Sequence, residues 1–169
     1  MANRALVIGI DNYNDPIPKL TSAVIDAERV AKWLVGKGVV SASELWLGVS
    51  PLGGTYQATG ILAGCSVFNP VADEAIRVID QAVNAGPFSR MFFYFAGHGV
   101  SAKNELFPQE DALCFQDYSQ LYSHKALSVG AIATALKGIE ARERFLIIDA
   151  CRNPAIPRNQ MPGFLPSYP

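Results

Sequence analysis

Two stretches of the chain are apolar without interruption, Met91-Phe-Phe-Tyr-Phe-Ala96 and Phe145-Leu-Ile-Ile148, and each runs into a turn bearing a reactive side chain. Runs of this kind, bounded by turn residues, predict strands buried on both faces, as in a parallel sheet. A third run, Ala5-Leu-Val-Ile-Gly-Ile10, predicts a first strand over residues 4–10, and a shorter second strand is predicted over 44–47. From Ser22 to Lys37, Ala23, Ala27, Val30, Ala31 and Leu34 recur at helical spacing, and Gly36 and Gly38 end that helix. Residues 48–69 are rich in Gly, Ser and Pro and have no period, which predicts a long loop. Pro70 opens a second helix carrying Ala75, Ile76, Ile79 and Val83. After the strand that ends at His98, the pattern predicts a polar loop over 101–111 and a short strand over 112–115. A third helix, capped by Ser128 and running through Lys137, leads into the strand 144–150 that ends at Cys151. Strand–helix alternation of this order predicts an α/β fold: a mostly parallel sheet with helices on both faces.

The chain has 169 residues, half of them hydrophobic and 17% charged, enough for one domain with a real core. A net charge of −1 with no basic patch argues against nucleic acid as a partner. No apolar run reaches membrane-spanning length, and the N-terminus enters a strand with no room for a signal segment. Cys65, Cys114 and Cys151 are an odd set without metal-type spacing, so neither a disulfide framework nor a zinc site is expected. These features predict a cytoplasmic protein. The tail, 153–169, holds five prolines in seventeen residues and is expected to be neither helix nor central strand.

In parallel α/β sheets, reactive groups stand just beyond the carboxyl ends of the strands. There the two long runs place His98, within Gly97-His98-Gly99, and Cys151, within Asp149-Ala-Cys-Arg-Asn153. A thiol is mostly protonated at neutral pH, and a neighbouring imidazole raises its thiolate fraction. Glycine on both sides of His98 lets backbone approach a substrate closely, with the amides of Gly99 and Cys151 available to an oxyanion. Asp149, two residues before Cys151, shares its side of the strand. An acid there activates a thiol poorly, because it raises the thiol pKa, and fits better as a partner for a basic substrate side chain. His124 reads as a solvated loop residue, and Cys65 and Cys114 read as structural. The acidic residues Glu105, Glu110 and Asp111 lack the oxygen-ligand spacing of a calcium loop.

Four blocks occur in order: Ala5-Leu-Val-Ile-Gly-Ile-Asp-Asn-Tyr13, Leu20-Thr-Ser-Ala-Val-Ile-Asp-Ala27, Tyr94-Phe-Ala-Gly-His-Gly-Val100 and Ile147-Ile-Asp-Ala-Cys-Arg-Asn153. Together they resemble the large-subunit region of caspase-fold peptidases, nearer the metacaspase and bacterial orthocaspase branch than the animal caspases. A histidine about 50 residues before the cysteine fits the caspase pattern, while Asp149 and Asn153 depart from its local signature. The resemblance implies a three-layer caspase-like fold over residues 1–152, with 153–169 as tail or linker and the small-subunit portion absent. It implies a cysteine endopeptidase acting through a thioester, with His98 and Cys151 as dyad and the Gly99 and Cys151 amides as oxyanion hole. It also implies Asp26 and Asp149 as the carboxylates that select arginine or lysine before the cleaved bond. No cofactor is expected, although many metacaspases bind calcium. A bacterial defence or cell-death pathway is the implied setting. A second chain beside the Cys151 strand is expected, and Arg158 is a candidate processing point. The alternative reading is a non-catalytic interaction module that keeps the fold.

Overall fold

A computed structural model describes residues 1–14, 17–102, 110–119 and 125–151. Along the chain, β1 (Asn3–Ile10) leads to helix α1 (Ala23–Gly36), then β2 (Leu45–Ser50) and the short β3 (Ser66–Phe68). Helix α2 (Ala72–Asn84) precedes β4 (Phe88–Gly97), and β5 (Gly99–Ala102), β6 (Glu110–Cys114) and β7 (Ala126–Ser128) follow. Helix α3 (Val129–Gly138) then leads to β8 (Ala141–Ala150). Five strands pair in parallel in the order β3-β2-β1-β4-β8, with the two apolar runs as neighbours. Helix α1 buries Ala23, Val24, Ala27, Ala31 and Leu34 against one face of this sheet. Helices α2 and α3 cover the other face around Phe93, Phe95, Ile132 and Leu136. The expected three-layer α/β arrangement is therefore present.

Two expectations need correction. The predicted long loop over 48–69 contains the end of β2 and all of β3. Strand β3 is three residues long and buries only Phe68, too little for a periodic signal. The predicted polar loop over 101–111 is strand at both ends, because β5 extends through Ala102 and β6 begins at Glu110. The main sheet is parallel throughout, and β5, β6 and β7 form a separate antiparallel sheet beside it, in keeping with a mostly parallel fold. The tail, with Arg158, lies outside the described residues, as do Glu105 and His124.

Two helices take their N-terminal caps from distant acids. The buried Asp11 carboxylate accepts the Ala23 N–H at 2.9 Å and the Val24 N–H at 3.4 Å, opening α1. Asp117 accepts the Ala72 N–H at 2.8 Å and opens α2, and Lys125 bridges Asp117 and Asp73. Helix α3 uses the predicted local cap, with Ser128 Oγ accepting the Ala131 N–H at 3.2 Å. Strand β8 is the last in the described sheet, and its Phe145, Ile147 and Ile148 are 39%, 49% and 36% exposed. Among the described residues no helix is long and apolar enough to cross a membrane.

Helix α1 packs tightly on β1 because position 9 has no side chain. A Cβ on Gly9 would stand 2.5 Å from the Ala23 carbonyl oxygen and 2.5 Å from Ala27 Cβ. Gly9→Ala is expected to destabilise the fold by about 1–3 kcal/mol in urea unfolding, since helix backbone has to move. Gly53→Ala, which meets nothing within 4 Å, is expected to stay within about 0.5 kcal/mol of the parent. A second outcome concerns Cys114, whose thiol burial pushes up to about 12, helped by charge at Cys151. The folded value lies above the ordinary one, so the stability linked to this thiol is complete below about pH 9 and is lost as pH rises toward 12. Stability measured across that range should fall less steeply in Cys114→Ser than in the parent.

Candidate active site

Strands β4 and β8 run in parallel with Gly97 opposite Ala150, so each delivers its next residue at the same height. His98 Nδ1 lies 3.7 Å from Cys151 Sγ. The other ring nitrogen, Nε2, lies 2.8 Å from the carbonyl oxygen of Pro18. A carbonyl only accepts, so the ring proton belongs on Nε2, which leaves the Nδ1 lone pair facing the thiol. Cys151 is exposed and His98 half-buried, an arrangement open to an incoming ligand.

Both glycines beside His98 are required by close approach. A Cβ on Gly97 would overlap the Tyr13 hydroxyl, and one on Gly99 would overlap the Cys151 carbonyl oxygen. The chain at Gly99 therefore lies directly against the Cys151 backbone. His98 is held on its main chain as well, because the Cys114 N–H donates to its carbonyl at 3.0 Å.

Asp149 and Asp26 meet around one phenol. Tyr94 donates to Asp149 Oδ2 at 3.5 Å. Burial first, then the charges of Asp149 and Asp26, push the Tyr94 hydroxyl up to about 12. Asp149 is exposed at the end of β8, while Asp26 is half-buried in the first turn of α1. Arg29, 75% exposed, pairs with Asp26 at 3.1 Å from one helical turn away. Such an exposed pair contributes little energy and exchanges readily for another cation.

The remaining candidates are Cys65, Cys114, Glu110 and Asp111. Burial raises the thiol pKa of both Cys65 and Cys114, which lowers their thiolate fraction. Glu110 and Asp111 begin β6. Among the described residues no three His, Cys, Asp or Glu side chains gather as a cation site. Sequence reasoning missed Pro18, which acts through a main-chain oxygen and leaves no side-chain signature. It also missed Tyr94 as a polar member of the site, although a lone hydroxyl within Phe92-Phe-Tyr-Phe95 needs a partner once buried.

Comparison with known proteins bears on the family and the fold. The chain is 34% identical over 157 residues to a probable protease from a Desulfuromonadales bacterium, covering 90% of this chain and 18% of that protein. A solved protein from Geobacter sulfurreducens superposes with a TM-score of 0.60 at 16% identity, over 92% of this chain and 53% of the other, a likeness of fold. The chain thus spans under a fifth of the curated relative and about half of the solved one. The family model for the caspase domain matches residues 2–165, nearly the whole chain, and the chain belongs to the caspase domain family.

Proposed function

We propose that the protein is a cysteine endopeptidase using His98 as base and Cys151 as nucleophile, with preference for arginine or lysine before the scissile bond. The observation that carries the reading is the Nδ1 lone pair held toward Sγ at 3.7 Å by a fixed Nε2–H bond to Pro18. The thiol proton passes to Nδ1, and Sγ attacks the substrate carbonyl carbon. The resulting oxyanion takes hydrogen bonds from the Gly99 and Cys151 amides. The tetrahedral adduct collapses to a thioester, and the leaving amine takes the proton from Nδ1. Water then gives a proton to Nδ1, attacks the thioester and releases the acid, restoring the thiol.

Two carboxylates around Tyr94 support the basic preference. A substrate guanidinium displaces Arg29 from Asp26 and gains Asp149 as a second acceptor, with bidentate geometry available to arginine. We further propose that another polypeptide, a small-subunit fragment or a second copy, lies along β8. Among the described residues β8 pairs with a strand on one side, and its exposed Phe145, Ile147 and Ile148 give apolar surface suited to a further strand.

Matched peptides ending in Arg, Lys, Asp or Asn test the first part. Cleavage after Arg or Lys is expected, and Cys151→Ala should abolish it. Asp26→Asn or Asp149→Asn should each cost about 2–5 kcal/mol in kcat/KM for the basic peptides, the range for one partner of a desolvated pair. Cleavage after Asp instead would overturn the pocket, and undiminished cleavage by Cys151→Ala would overturn the nucleophile. Native mass spectrometry tests the edge: the active species should contain a second polypeptide, and full activity from one copy of this chain alone would remove that proposal.

A further inference from the structure

We infer that Tyr13 is a positioning residue for His98, locking the main chain of the base to β6 so that the imidazole stays aimed at Cys151. This deepens the reading of His98 and Cys151 as base and nucleophile, and rests on it. Tyr13 is 1% exposed and lies in the turn after β1, far from both residues in sequence. Its hydroxyl has two partners on different elements. The His98 N–H donates to it at 2.8 Å, and it donates to the Cys114 carbonyl at 3.2 Å. Its ring also lies against the imidazole, with centroids 4.8 Å apart and planes tilted by 54°. One side chain therefore holds the His98 backbone and flanks its ring.

The sequence makes room for this contact, because any Cβ at Gly97 would strike the Tyr13 hydroxyl. The first glycine of Gly97-His98-Gly99 is thereby explained by Tyr13, and the second by the Cys151 carbonyl. Burial, opposed only in part by the His98 N–H, keeps the phenol protonated throughout the working range. The hydroxyl thus always has a proton for the Cys114 carbonyl and a lone pair for the His98 amide. The ionisable groups around it are His98, Asp11, Cys114 and Cys151. The hydrogen bonds of Tyr13 go to the His98 amide and the Cys114 carbonyl, so its hold on the site is through the position of His98.

The test follows iodoacetamide alkylation of Cys151 against pH, resolved by peptide mapping, in the parent, Tyr13→Phe, Gly97→Ala and His98→Ala. Phenylalanine keeps the ring and removes the hydroxyl. Tyr13→Phe is expected to slow Cys151 alkylation at neutral pH about tenfold and to move its midpoint upward, the consequence of losing one orienting hydrogen bond. Gly97→Ala should shift the profile in the same direction, since its methyl displaces the hydroxyl. Where peptide cleavage is measurable, kcat should fall with KM unchanged. A Tyr13→Phe profile that superposes on the parent while His98→Ala is shifted overturns the role of Tyr13 and leaves the dyad standing. A His98→Ala profile that superposes on the parent overturns the dyad itself. If both Tyr13→Phe and Gly97→Ala fail to fold, amide hydrogen exchange in the parent decides: His98 N–H should be strongly protected, and rapid exchange overturns the proposal.

Discussion

The register of β4 against β8 governs everything at the site, because a one-residue slip would turn Asp149 and Cys151 to the opposite face of the sheet. Side chains opposite one another on the two strands set that register. Arg90 pairs with Glu143 at 2.5 Å, and Phe92 stacks on Phe145 with centroids 4.8 Å apart and planes within 9°. The ion pair is half exposed and adds little stability, but a one-residue slip would set Arg90 opposite Arg142 or Arg144. From these contacts the strands run on in step to Gly97 and Ala150.

A second constraint comes from the turn after β1. Asp11 opens α1 through its carboxylate, and its carbonyl accepts the Leu20 N–H at 2.9 Å, closing the turn on itself. Within that closed turn, Pro18 presents its carbonyl oxygen to His98 Nε2, and Tyr13 reaches the His98 amide. The imidazole is thus oriented by a turn that the start of a helix keeps in shape. Sheet register brings the two residues together, and the turn selects which nitrogen faces the sulfur.

Much of this was legible in the chain because uninterrupted apolar runs specify buried parallel strands, and the residue after such a run falls at the sheet's carboxyl edge. The positions of His98, Cys151 and Asp149 at the ends of β4 and β8 are legible that way, and so is the local cap at Ser128. What escaped depended on contacts between residues distant in sequence. Ser22 precedes α1, yet Asp11 supplies the cap, and Asp117 does the same for α2 across 45 residues. Strand β3 pairs along only three residues, held by β2 rather than by any pattern of its own. The Pro18 contact uses a main-chain atom that every residue possesses, so no reading of side chains reveals it.

The Asp11 cap also has an electrostatic consequence. An α-helix carries roughly half a positive charge at its N-terminus, and in α1 that end lies within one turn of Asp26. Left alone, the helix end would draw on the field of the Asp26 carboxylate and weaken it toward any outside cation. Asp11 is buried against the Ala23 and Val24 amides and cancels that positive end at its source. Asp26 then answers to the exposed Arg29, or to a cation that replaces it, beside Asp149 and Tyr94. One acid, shut away from solvent, thereby sets how strongly another attracts what arrives from it.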